Sequence, residues 1–388
     1  MKKIAIILDS NFVDKKGYFN SVHNRAKELK KNSDFIVDVY LIQTYENFFF
    51  RKCLRTEKRK KEKISFYDSI SYNNLWYNLS LIDCVLLYKL HYTEIFKSLF
   101  IHRQIDKFKN YDLISTHSTY CASLGYMINK KYNIPFTITW HGSDIHSIFS
   151  KKKKQQTKKY IESAFCNFFV SKALLSKAQS FATSSRSEVL YNAASDSFVN
   201  YSSDLKKSIK EKFGIKLKKV VAFVGNIYSI KNVKVLPDIF SKLSHTNDVV
   251  FWIIGDGKER LNLEKAMKAK KIEVTFFGNI SPSKMNDFYN SIDVLVLPSL
   301  NEGLPLVCVE ALTCGCNVVG SNVGGISEVI GQENVFNLDE NFIQNITNRI
   351  ELFLRTDLAQ TLLKQFNWTL TSKKEISIYK ECLNLKKI

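Results

Sequence analysis

Residues 293–312 read DVLVLPSLNEGLPLVCVEAL and place two carboxylates where apolar packing alone would not put them. The run Val294–Leu297, stopped by Pro298, predicts a buried strand. Pro305 suits the first position of a following helix, because its missing N–H costs nothing there. Glu310 then falls within the helix among apolar neighbours, where a charge is costly unless another group hydrogen-bonds to it.

The start of this predicted helix is suited to an anion. The first N–H groups of a helix have no partner inside it, and the helix dipole adds a partial positive charge. A diphosphate can bind at such a helix start. Glu302 lies in the loop just before it. Together, the loop carboxylate, the helix start and the inward-facing Glu310 predict a sugar-nucleotide pocket.

The chain has 388 residues, which exceeds one typical core and predicts two domains. Its 45% hydrophobic and 24% charged content is that of an ordinary globular protein. No stretch approaches the roughly 20 apolar residues of a membrane span, and the apolar run near Met1 is too short for a signal peptide. Eight cysteines without a repeating spacing indicate reduced thiols. We therefore expect a cytoplasmic protein.

The net charge of +20 is concentrated in the first half of the chain. Residues 1–195 contain 32 Lys and Arg against 16 Asp and Glu, whereas residues 196–388 contain 25 against 21. Two basic runs dominate, one from Arg51 to Lys63 and one from Lys151 to Lys159. They indicate either contact with an anionic membrane surface, at about 1 kcal/mol per basic residue, or a solvated lysine-rich surface. No aromatic-basic module of known type supports nucleic-acid binding.

Strand-like and helical patterns alternate along both halves, which predicts an α/β protein with parallel sheets covered on both faces. Helical patterns lie between the strands, including a long one at 76–108. A polar stretch at 201–207 separates the two series and sets the domain boundary. The predicted strands are 4–8, 35–42, 113–115, 136–140 and 167–170 in the first half, and 220–224, 249–254, 273–277, 294–297 and 318–320 in the second.

Ligands of parallel sheets bind beyond the carboxyl ends of the strands, so polar residues after each predicted strand are candidates. Gly225 and Lys231 follow one strand, and this lysine can reach a phosphate, although such a lysine is more often an ordinary surface residue. The turn Gly-Asp-Gly at 255–257 has the composition of a structural turn. In the first half, His-Gly-Ser-Asp at 141–144 follows a strand, and for His141 a functional and a structural role are equally open.

Glu302 and Glu310 stand with seven residues between them and are followed by Gly-Gly-Ile-Ser-Glu at 324–328. Two glycine-containing strand ends precede them, at 225–231 and 255–257. This order resembles the C-terminal domain of family 4 of the retaining glycosyltransferases, also called glycosyl transferases group 1. The resemblance is most specific in the second half and covers nearly the whole chain.

The resemblance implies a GT-B fold, in which two Rossmann-like α/β domains face each other across a cleft. We expect an N-terminal acceptor-binding domain at 1–200 and a C-terminal nucleotide-sugar-binding domain at 201–370. Residues 371–388, in the helix after Trp368, resemble the terminal helix that crosses back to the first domain. The segment 141–144 resembles a motif of the family's first domain.

The same resemblance implies roles for individual residues. Glu310 matches the glutamate that binds the ribose hydroxyls of the donor, and Glu302 matches the glutamate that contacts the transferred sugar. Lys231 matches the basic residue on the diphosphate, and His141 matches the histidine near the reacting carbon. Asp144 is a candidate on the acceptor side. The further donor-binding candidates are Gly303, Leu304, Pro305 and Leu306 at the helix start, Gly225, Asn226, Asn279 and Ile280 after strands, and Gly17 in the loop after the first strand.

One position departs from the family pattern. Asn226 stands where the family usually has an arginine beside the glycine, and an asparagine cannot supply a bidentate charged clamp. Lys231 is therefore the one cation of the second domain that the sequence assigns to the leaving group.

The resemblance implies transfer of a hexose or an N-acetylhexosamine from a nucleotide-diphosphate sugar to a saccharide acceptor, with retention and without a cofactor or metal. The basic first half favours a lipid-linked acceptor and a peripheral position on the inner face of the cytoplasmic membrane, in bacterial surface polysaccharide biosynthesis. Two alternatives stay open, a sugar-nucleotide 2-epimerase of the same fold and a non-catalytic protein that binds sugar nucleotides. Donor consumption that depends on an added acceptor distinguishes transfer from both.

Overall fold

The computed structural model describes residues 1–12, 17–45, 52, 60–79, 82, 99–146, 151–215, 218–244, 248–356 and 358–385. Two compact units divide the chain. The sequence predicts boundaries at residues 200 and 370, and in the structure the chain changes unit after Leu190 and again at Trp368. The first unit contains Met1–Val170, Leu174–Leu190 and Trp368–Ile388, and the second contains Ser171–Ala173 and Tyr191–Asn367.

The first unit is built on an eight-stranded sheet. The strands are β1 Lys3–Asp9, β2 Ile36–Tyr45, β3 Ile64–Tyr67, β4 Ile70–Asn78, β5 Leu113–His117, β6 Phe136–Trp140, β7 Cys166–Phe169 and β8 Ser187–Val189. Their order is β3-β4-β2-β1-β5-β6-β7-β8, and all neighbours are parallel except β3 and β4. The helices of this part are Gly17–Asn32, Ser118–Tyr132, Ser143–His146, Lys151–Ser163, Lys172–Gln179 and Trp368–Leu385, with a 3₁₀ helix at Ile105–Phe108.

The hairpin of β3 and β4 was not predicted. Asp68 and Ser69 connect the two strands with φ angles of 40° and 65°, the positive values that a two-residue type I′ turn requires. The predicted helix at 76–108 is wrong at its start, because Trp76 belongs to β4 and pairs with Gln43 of β2. Residues 83–98 of that prediction lie outside the described residues.

The C-terminal helix Trp368–Leu385 completes the first unit by packing on the helix Gly17–Asn32. Arg25 Nη2 lies 2.9 Å from Glu375 Oε1, and both side chains are 1% exposed. Tyr379 OH donates to Glu375 Oε1 at 2.6 Å. A buried ion pair costs desolvation, so this contact specifies where the helix docks more than it adds stability.

The second unit is built on a six-stranded parallel sheet in which apolar runs form the central strands. The strands are β9 Lys219–Val224, β10 Val249–Ile254, β11 Val274–Gly278, β12 Val294–Leu297, β13 Asn317–Ser321 and β14 Val335–Phe336. Their order is β11-β10-β9-β12-β13-β14. The helices are Ser203–Lys212, Leu236–Leu243, Arg260–Ala269, Pro282–Ser291, Leu306–Thr313, Ile326–Ile330 and Phe342–Arg355. Two α/β units with largely parallel sheets confirm the predicted class.

Candidate active site

Glu302 lies in the loop after β12 and forms an ion pair with Lys231. Glu302 Oε1 lies 2.5 Å from Lys231 Nζ and accepts a hydrogen bond from Ser299 Oγ at 2.7 Å. Leu300 N donates to Ile230 O at 2.8 Å, which holds the two loops together. Only 11% of the Glu302 side chain and 20% of the Lys231 side chain are exposed. The structure therefore brings together two residues that the sequence assigned to the sugar and the diphosphate.

Two glycines fix the backbone of the Glu302 loop. Gly324 has a φ of +53°, and a Cβ there would lie 1.8 Å from Glu302 O. Gly325 N donates to Gly303 O at 3.1 Å. A side chain at Gly324 would force the Glu302 loop to move, and residues other than glycine rarely adopt that φ. The Gly-Gly segment of the sequence is thus needed where one loop lies directly against another.

The helix after this loop begins one residue later than predicted. Pro305 is the N-cap residue of the helix Leu306–Thr313. Its backbone is extended, with φ −76° and ψ 105°, so the helix starts only at the next residue. Cys308 N donates to Pro305 O at 3.1 Å. The N–H groups of Leu306 and Val307 come before this hydrogen bond, in the positions that bind anions at helix starts.

Glu310 lies in the second turn of the same helix and is half-buried. Its Oε2 atom accepts a hydrogen bond from Tyr289 OH at 2.8 Å. Tyr289 is itself buried and belongs to the helix Pro282–Ser291. Burial raises the pKa of Glu310 to about 7, although the Tyr289 hydrogen bond lowers it. The carboxylate is held in a defined position but is poorly solvated, so its charged form is costly in free energy. A ligand that donates hydroxyl hydrogen bonds to it would offset that cost.

The carboxyl ends of β9, β10 and β11 meet through backbone hydrogen bonds. Gly225 N donates to Ile254 O at 2.9 Å, and Gly255 N donates to Gly278 O at 2.8 Å. A Cβ on Gly255 would lie 2.0 Å from Gly225 O. This close approach favours the structural interpretation of the turn at 255–257.

The other predicted donor residues lie along the same edge of the sheet. Asn226 is half-buried directly after β9, and its carbonyl accepts a hydrogen bond from Tyr228 N at 2.9 Å. Asn279 is exposed and Ile280 is half-buried, directly after β11. Leu304 is buried beside the helix start. Because β9 pairs with β12 in parallel, these residues and the Glu302 loop share the carboxyl edge.

In the first unit, His141 follows β6 and contacts the histidine that ends β5. His117 Nδ1 lies 3.1 Å from His141 Nε2, so one imidazole donates to the other. The Tyr18 ring stands edge-on to His141 with centroids 4.8 Å apart, and Tyr18 OH donates to His117 O at 3.0 Å. Burial, and secondly the charge of Arg25, lower the pKa of His141 to about 3 and hold the pKa of His117 well below its usual value. Both imidazoles are therefore neutral near pH 7.

Asp144 and Gly17 lie near the same histidine pair. Asp144 Oδ1 accepts a hydrogen bond from Thr119 N at 3.2 Å, and burial raises the pKa of this carboxyl. Gly17 is the first residue of its helix, directly before Tyr18. Ser118, which follows β5, has a φ of +82°. A positive φ at a residue other than glycine is uncommon, and such residues cluster at functional sites as well as in turns.

Four residues of these clusters were missed by sequence reasoning. His117 carries the signal that singled out His141, a polar residue after a strand, but the predicted strand ended two residues too early, at 115. Tyr289 carries no comparable signal, because its place opposite Glu310 depends on how two helices pack. Tyr18 likewise bonds a residue distant in the chain, the last residue of β5, whereas Ser299 bonds Glu302 within the same loop and was missed because a serine there has no distinguishing pattern.

The second basic run forms most of the exposed face of the helix Lys151–Ser163. The helix buries Thr157, Tyr160 and Ile161. Lys159 Nζ lies 4.6 Å from the centroid of the Tyr126 ring. The exposed lysines are Lys151, Lys152, Lys153, Lys154, Lys158 and Lys159. The first basic run, 51–63, lies largely outside the described residues.

Within the described parts of the chain, no group of three or more His, Cys, Asp or Glu side chains is placed to hold a metal ion. The expected independence from metal stays a prediction. A helix long and apolar enough to cross a membrane is likewise absent from these parts.

Two family models match the chain. The model described as Glycosyl transferases group 1 matches residues 206–367, and the model described as Glycosyltransferase Family 4 matches residues 82–222. Together they span 82–367, well over half of the chain. The chain belongs to this glycosyltransferase family. The family that the sequence motifs resemble is thereby confirmed.

Several curated proteins are similar in sequence to this glycosyltransferase. It is 26% identical over 269 residues to the Bacillus subtilis glycosyltransferase TuaC, which is named for teichuronic acid biosynthesis, covering 66% of this chain and 67% of the relative. It is 27% identical over 232 residues to the N-acetyl-alpha-D-glucosaminyl L-malate synthase of Bacillus anthracis, covering 57% of this chain and 59% of the relative.

Solved structures share the fold of this glycosyltransferase over its full length. Sucrose-phosphate synthase of Thermosynechococcus elongatus superposes with a TM-score of 0.79 at 18% identity, covering 99% of this chain and 100% of the other. HepE of Anabaena, in complex with UDP and glucose, superposes with a TM-score of 0.70 at 17% identity, covering 100% and 98%. The likeness confirms the predicted GT-B fold class.

Proposed function

We propose that this glycosyltransferase moves a hexose or an N-acetylhexosamine from a nucleotide-diphosphate sugar to a saccharide acceptor, with retention and without a metal ion. One observation carries the proposal. Lys231, Glu302, the start of the helix Leu306–Thr313 and Glu310 lie in one unit, along the carboxyl edge of its sheet. Parallel α/β sheets bind their ligands at that edge. The UDP complex of HepE, a protein of the same fold, supports a nucleotide-sugar donor.

Glu310 would bind the ribose of the donor. Its carboxylate accepts one hydrogen bond from Tyr289 and, as an acceptor with about four lone-pair sites, can take two more from vicinal hydroxyls. Hydrogen bonds to a charged acceptor are roughly twice as strong as neutral ones, and burial strengthens them further. The raised pKa of Glu310 therefore supports a role in binding that the free protein leaves unfilled.

The diphosphate would lie between Lys231 and the start of the helix Leu306–Thr313. The N–H groups of Leu306 and Val307 would donate to its oxygens, and Lys231 would add a full positive charge. An arriving diphosphate competes with Glu302 for Lys231, because both anions need the same ammonium group. Glu302 would then be freed, in whole or in part, to accept hydrogen bonds from the transferred sugar.

The proposed reaction breaks the bond between the anomeric carbon and the leaving phosphate oxygen. The acceptor hydroxyl oxygen forms the new bond on the same face, and the leaving phosphate oxygen takes the hydroxyl proton. Negative charge that develops on the diphosphate would be stabilised by Lys231 and the helix start. His141 would meet the sugar as a neutral hydrogen-bonding group, because its pKa of about 3 keeps it uncharged.

The test measures acceptor-dependent donor consumption in Lys231→Ala and Glu310→Ala. We expect Lys231→Ala to lose about 100-fold or more in kcat/KM, the magnitude seen when one group that stabilises developing charge is removed. Glu310→Ala should lose about tenfold or more, mainly through a higher donor KM, because the ribose loses hydrogen bonds to a charged acceptor. Lys234→Ala is the matched control, because Lys234 is an exposed lysine in the next turn of the chain. Wild-type turnover in both test variants would remove the site assignment. Donor consumption without an added acceptor would favour the epimerase alternative.

The acceptor would be a lipid-linked saccharide at an anionic membrane surface. The lysine-rich face of Lys151–Ser163 supports this proposal, since each basic residue near such a surface contributes about 1 kcal/mol. The name of TuaC supports a place in polysaccharide assembly. On the same ground we propose that the protein binds at the inner face of the cytoplasmic membrane. The same experiment tests both proposals.

Vesicle flotation tests the membrane contact. Replacing Lys151, Lys152, Lys153 and Lys154 with Gln should abolish flotation with vesicles that contain phosphatidylserine. The matched control removes four exposed lysines of the second unit, Lys207, Lys212, Lys218 and Lys268, and should float as the wild type does. Equal flotation with neutral vesicles would contradict the electrostatic basis.

A further inference from the structure

The second unit contains a cavity of about 260 Å3 that the proposed reaction does not use. The Gln360 side chain, which lines it, hydrogen-bonds both backbone groups of Val318, at the start of β13. The cavity therefore lies near the amino edge of the sheet, whereas Lys231 and Glu302 lie at the carboxyl edge. Its volume corresponds to roughly nine waters at about 30 Å3 each, enough for a small organic molecule.

One wall of the cavity is fixed by a reciprocal pair of side-chain amides. Gln360 Nε2 donates to Val318 O at 2.9 Å, and Gln360 N donates to Asn317 Oδ1 at 2.9 Å. Asn317 Nδ2 donates to Leu358 O at 3.1 Å. This segment has no helix or strand of its own, so these bonds hold it against the sheet. The cavity is thus preformed rather than opened by chance.

The opposite wall holds an arginine in a defined orientation. Arg349 Nε donates to Asn334 Oδ1 at 2.7 Å, and the guanidinium carbon lies 4.7 Å from the centroid of the Phe353 ring. Asn334 is 1% exposed and is itself fixed, because its Nδ2 donates to Ile330 O at 2.6 Å. Among the described residues, no carboxylate forms an ion pair with Arg349. Arg349 supplies the positive charge among the described residues that line the cavity.

Part of the remaining wall is apolar, and the Ile330 carbonyl beside it is already hydrogen-bonded. Leu312, Val329 and Phe353 line the cavity and are buried. The Ile330 carbonyl, at the end of its helix, accepts hydrogen bonds from two side-chain amides. Glu333 is an exposed acid at the rim. A ligand here therefore meets a guanidinium and an apolar surface, with Thr361 also in the lining and the Glu333 acid at the rim.

We propose that this cavity is a second ligand site, which binds a small molecule with a phosphate or carboxylate group next to an apolar part. A guanidinium whose Nε and ring face are already engaged presents its terminal donors as a planar fork, which matches two oxygens of one anion. The apolar walls would cover the rest of the molecule. The site is separate from the donor edge, because the helix Leu306–Thr313 begins at that edge and reaches the cavity only with Leu312.

The test titrates the full chain with phenyl phosphate by calorimetry. Arg349→Met should weaken binding at least tenfold, because the anion loses its cationic partner. Arg349→Lys should bind less tightly than the wild type, since a lysine keeps the charge but not the fork. Arg355→Met is the matched control on the same helix, because Arg355 is 70% exposed and pairs with Glu351, and it should bind as the wild type does. Inorganic phosphate should bind more weakly than phenyl phosphate.

Glu333→Gln keeps the proposal testable if an Arg349 variant fails to fold. Removing this rim charge should tighten phenyl phosphate binding about twofold to fivefold, the range of an exposed charge interaction of under 1 kcal/mol. Unchanged binding in both Arg349→Met and Glu333→Gln would overturn the proposal. Binding that persists in Arg349→Met and is displaced by UDP would place the probe at the donor edge and would overturn it as well.

Discussion

Replacing Glu310 with Gln should stabilise the unliganded protein at alkaline pH. Burial raises the pKa of Glu310 from 4.5 to about 7. Between these two values the folded state holds the proton and the unfolded state has released it, so the folded state binds more protons. The free energy of unfolding must therefore fall as pH rises from about 4.5 to about 7, and stay lower above that range.

The magnitude follows from the same shift. A change from 4.5 to about 7, at about 1.36 kcal/mol per pKa unit, gives an upper limit of about 3 kcal/mol. Glu310 is only half-buried, so water screens part of its charge, and we expect about 2 kcal/mol. A glutamine keeps an oxygen that accepts the Tyr289 hydrogen bond and carries no charge to desolvate.

The stability of the second unit is measured by urea unfolding at pH 8 and at pH 4. Hydrogen exchange of peptides from β12 serves as the reporter. The free energy of unfolding of Glu310→Gln should exceed that of the wild type at pH 8 and equal it at pH 4. Glu302→Gln is the control, because the Glu302 charge is already compensated by Lys231 and Ser299, and its removal should not stabilise. A Glu310→Gln protein no more stable than the wild type at pH 8 would refute the reasoning.

Three further perturbations have defined outcomes. Gly324→Ala should lower kcat/KM about 100-fold or more, because its Cβ would displace the Glu302 loop. Gly214→Ala is the control, because Gly214 also has a positive φ, +73°, but no atom lies within 4 Å of its Cβ position. It should lower the free energy of unfolding by about 1 kcal/mol and leave activity unchanged. Glu375→Gln should lower the free energy of unfolding of the first unit by about 3–5 kcal/mol, because it leaves the Arg25 charge buried and unpaired. Glu381→Gln removes an exposed partner and should lower it by under about 1 kcal/mol. Equal losses would contradict the argument from burial. Donor KM should rise about tenfold per pH unit below about pH 7, as Glu310 becomes protonated, and should be flat over the same range in Glu310→Gln.

The sequence was sufficient to predict the strand, loop and helix around Glu302 and Glu310, because local patterns carry the information there. An apolar strand, a loop acid and a helix start follow one another within residues 293–312, so their order along the chain is also their arrangement in space. The hairpin at Asp68 and Ser69 was missed for a local reason. That pair adopts the positive φ angles of a type I′ turn without the Asn-Gly or Asp-Gly sequence that usually marks one.

Long-range packing explains what the sequence could not supply. The ion pair of Lys231 and Glu302 joins residues 71 positions apart. The family resemblance assigns both residues to one donor, but neither segment indicates that the two charges pair with each other. The cavity around Arg349 depends likewise on Asn334 and Gln360, which lie on separate segments. From sequence alone, Arg349, Asn334 and Gln360 would be taken for ordinary exposed polar residues, because hydrogen bonds between side chains leave no periodic pattern.

The two glutamates at the carboxyl edge of the second sheet differ in a way that their spacing does not reveal. Glu302 has a cationic and a hydroxyl partner, whereas Glu310 has a neutral phenol and a raised pKa. In the proposed function, a ligand hydroxyl that reaches Glu310 removes a cost already present in the free protein, so this contact adds to affinity. A sugar that reaches Glu302 must first exchange an existing ion pair, so its net contribution to affinity is smaller. We therefore expect the nucleoside part of the donor to supply most of the binding energy, and the sugar contacts to act mainly in positioning the reacting carbon.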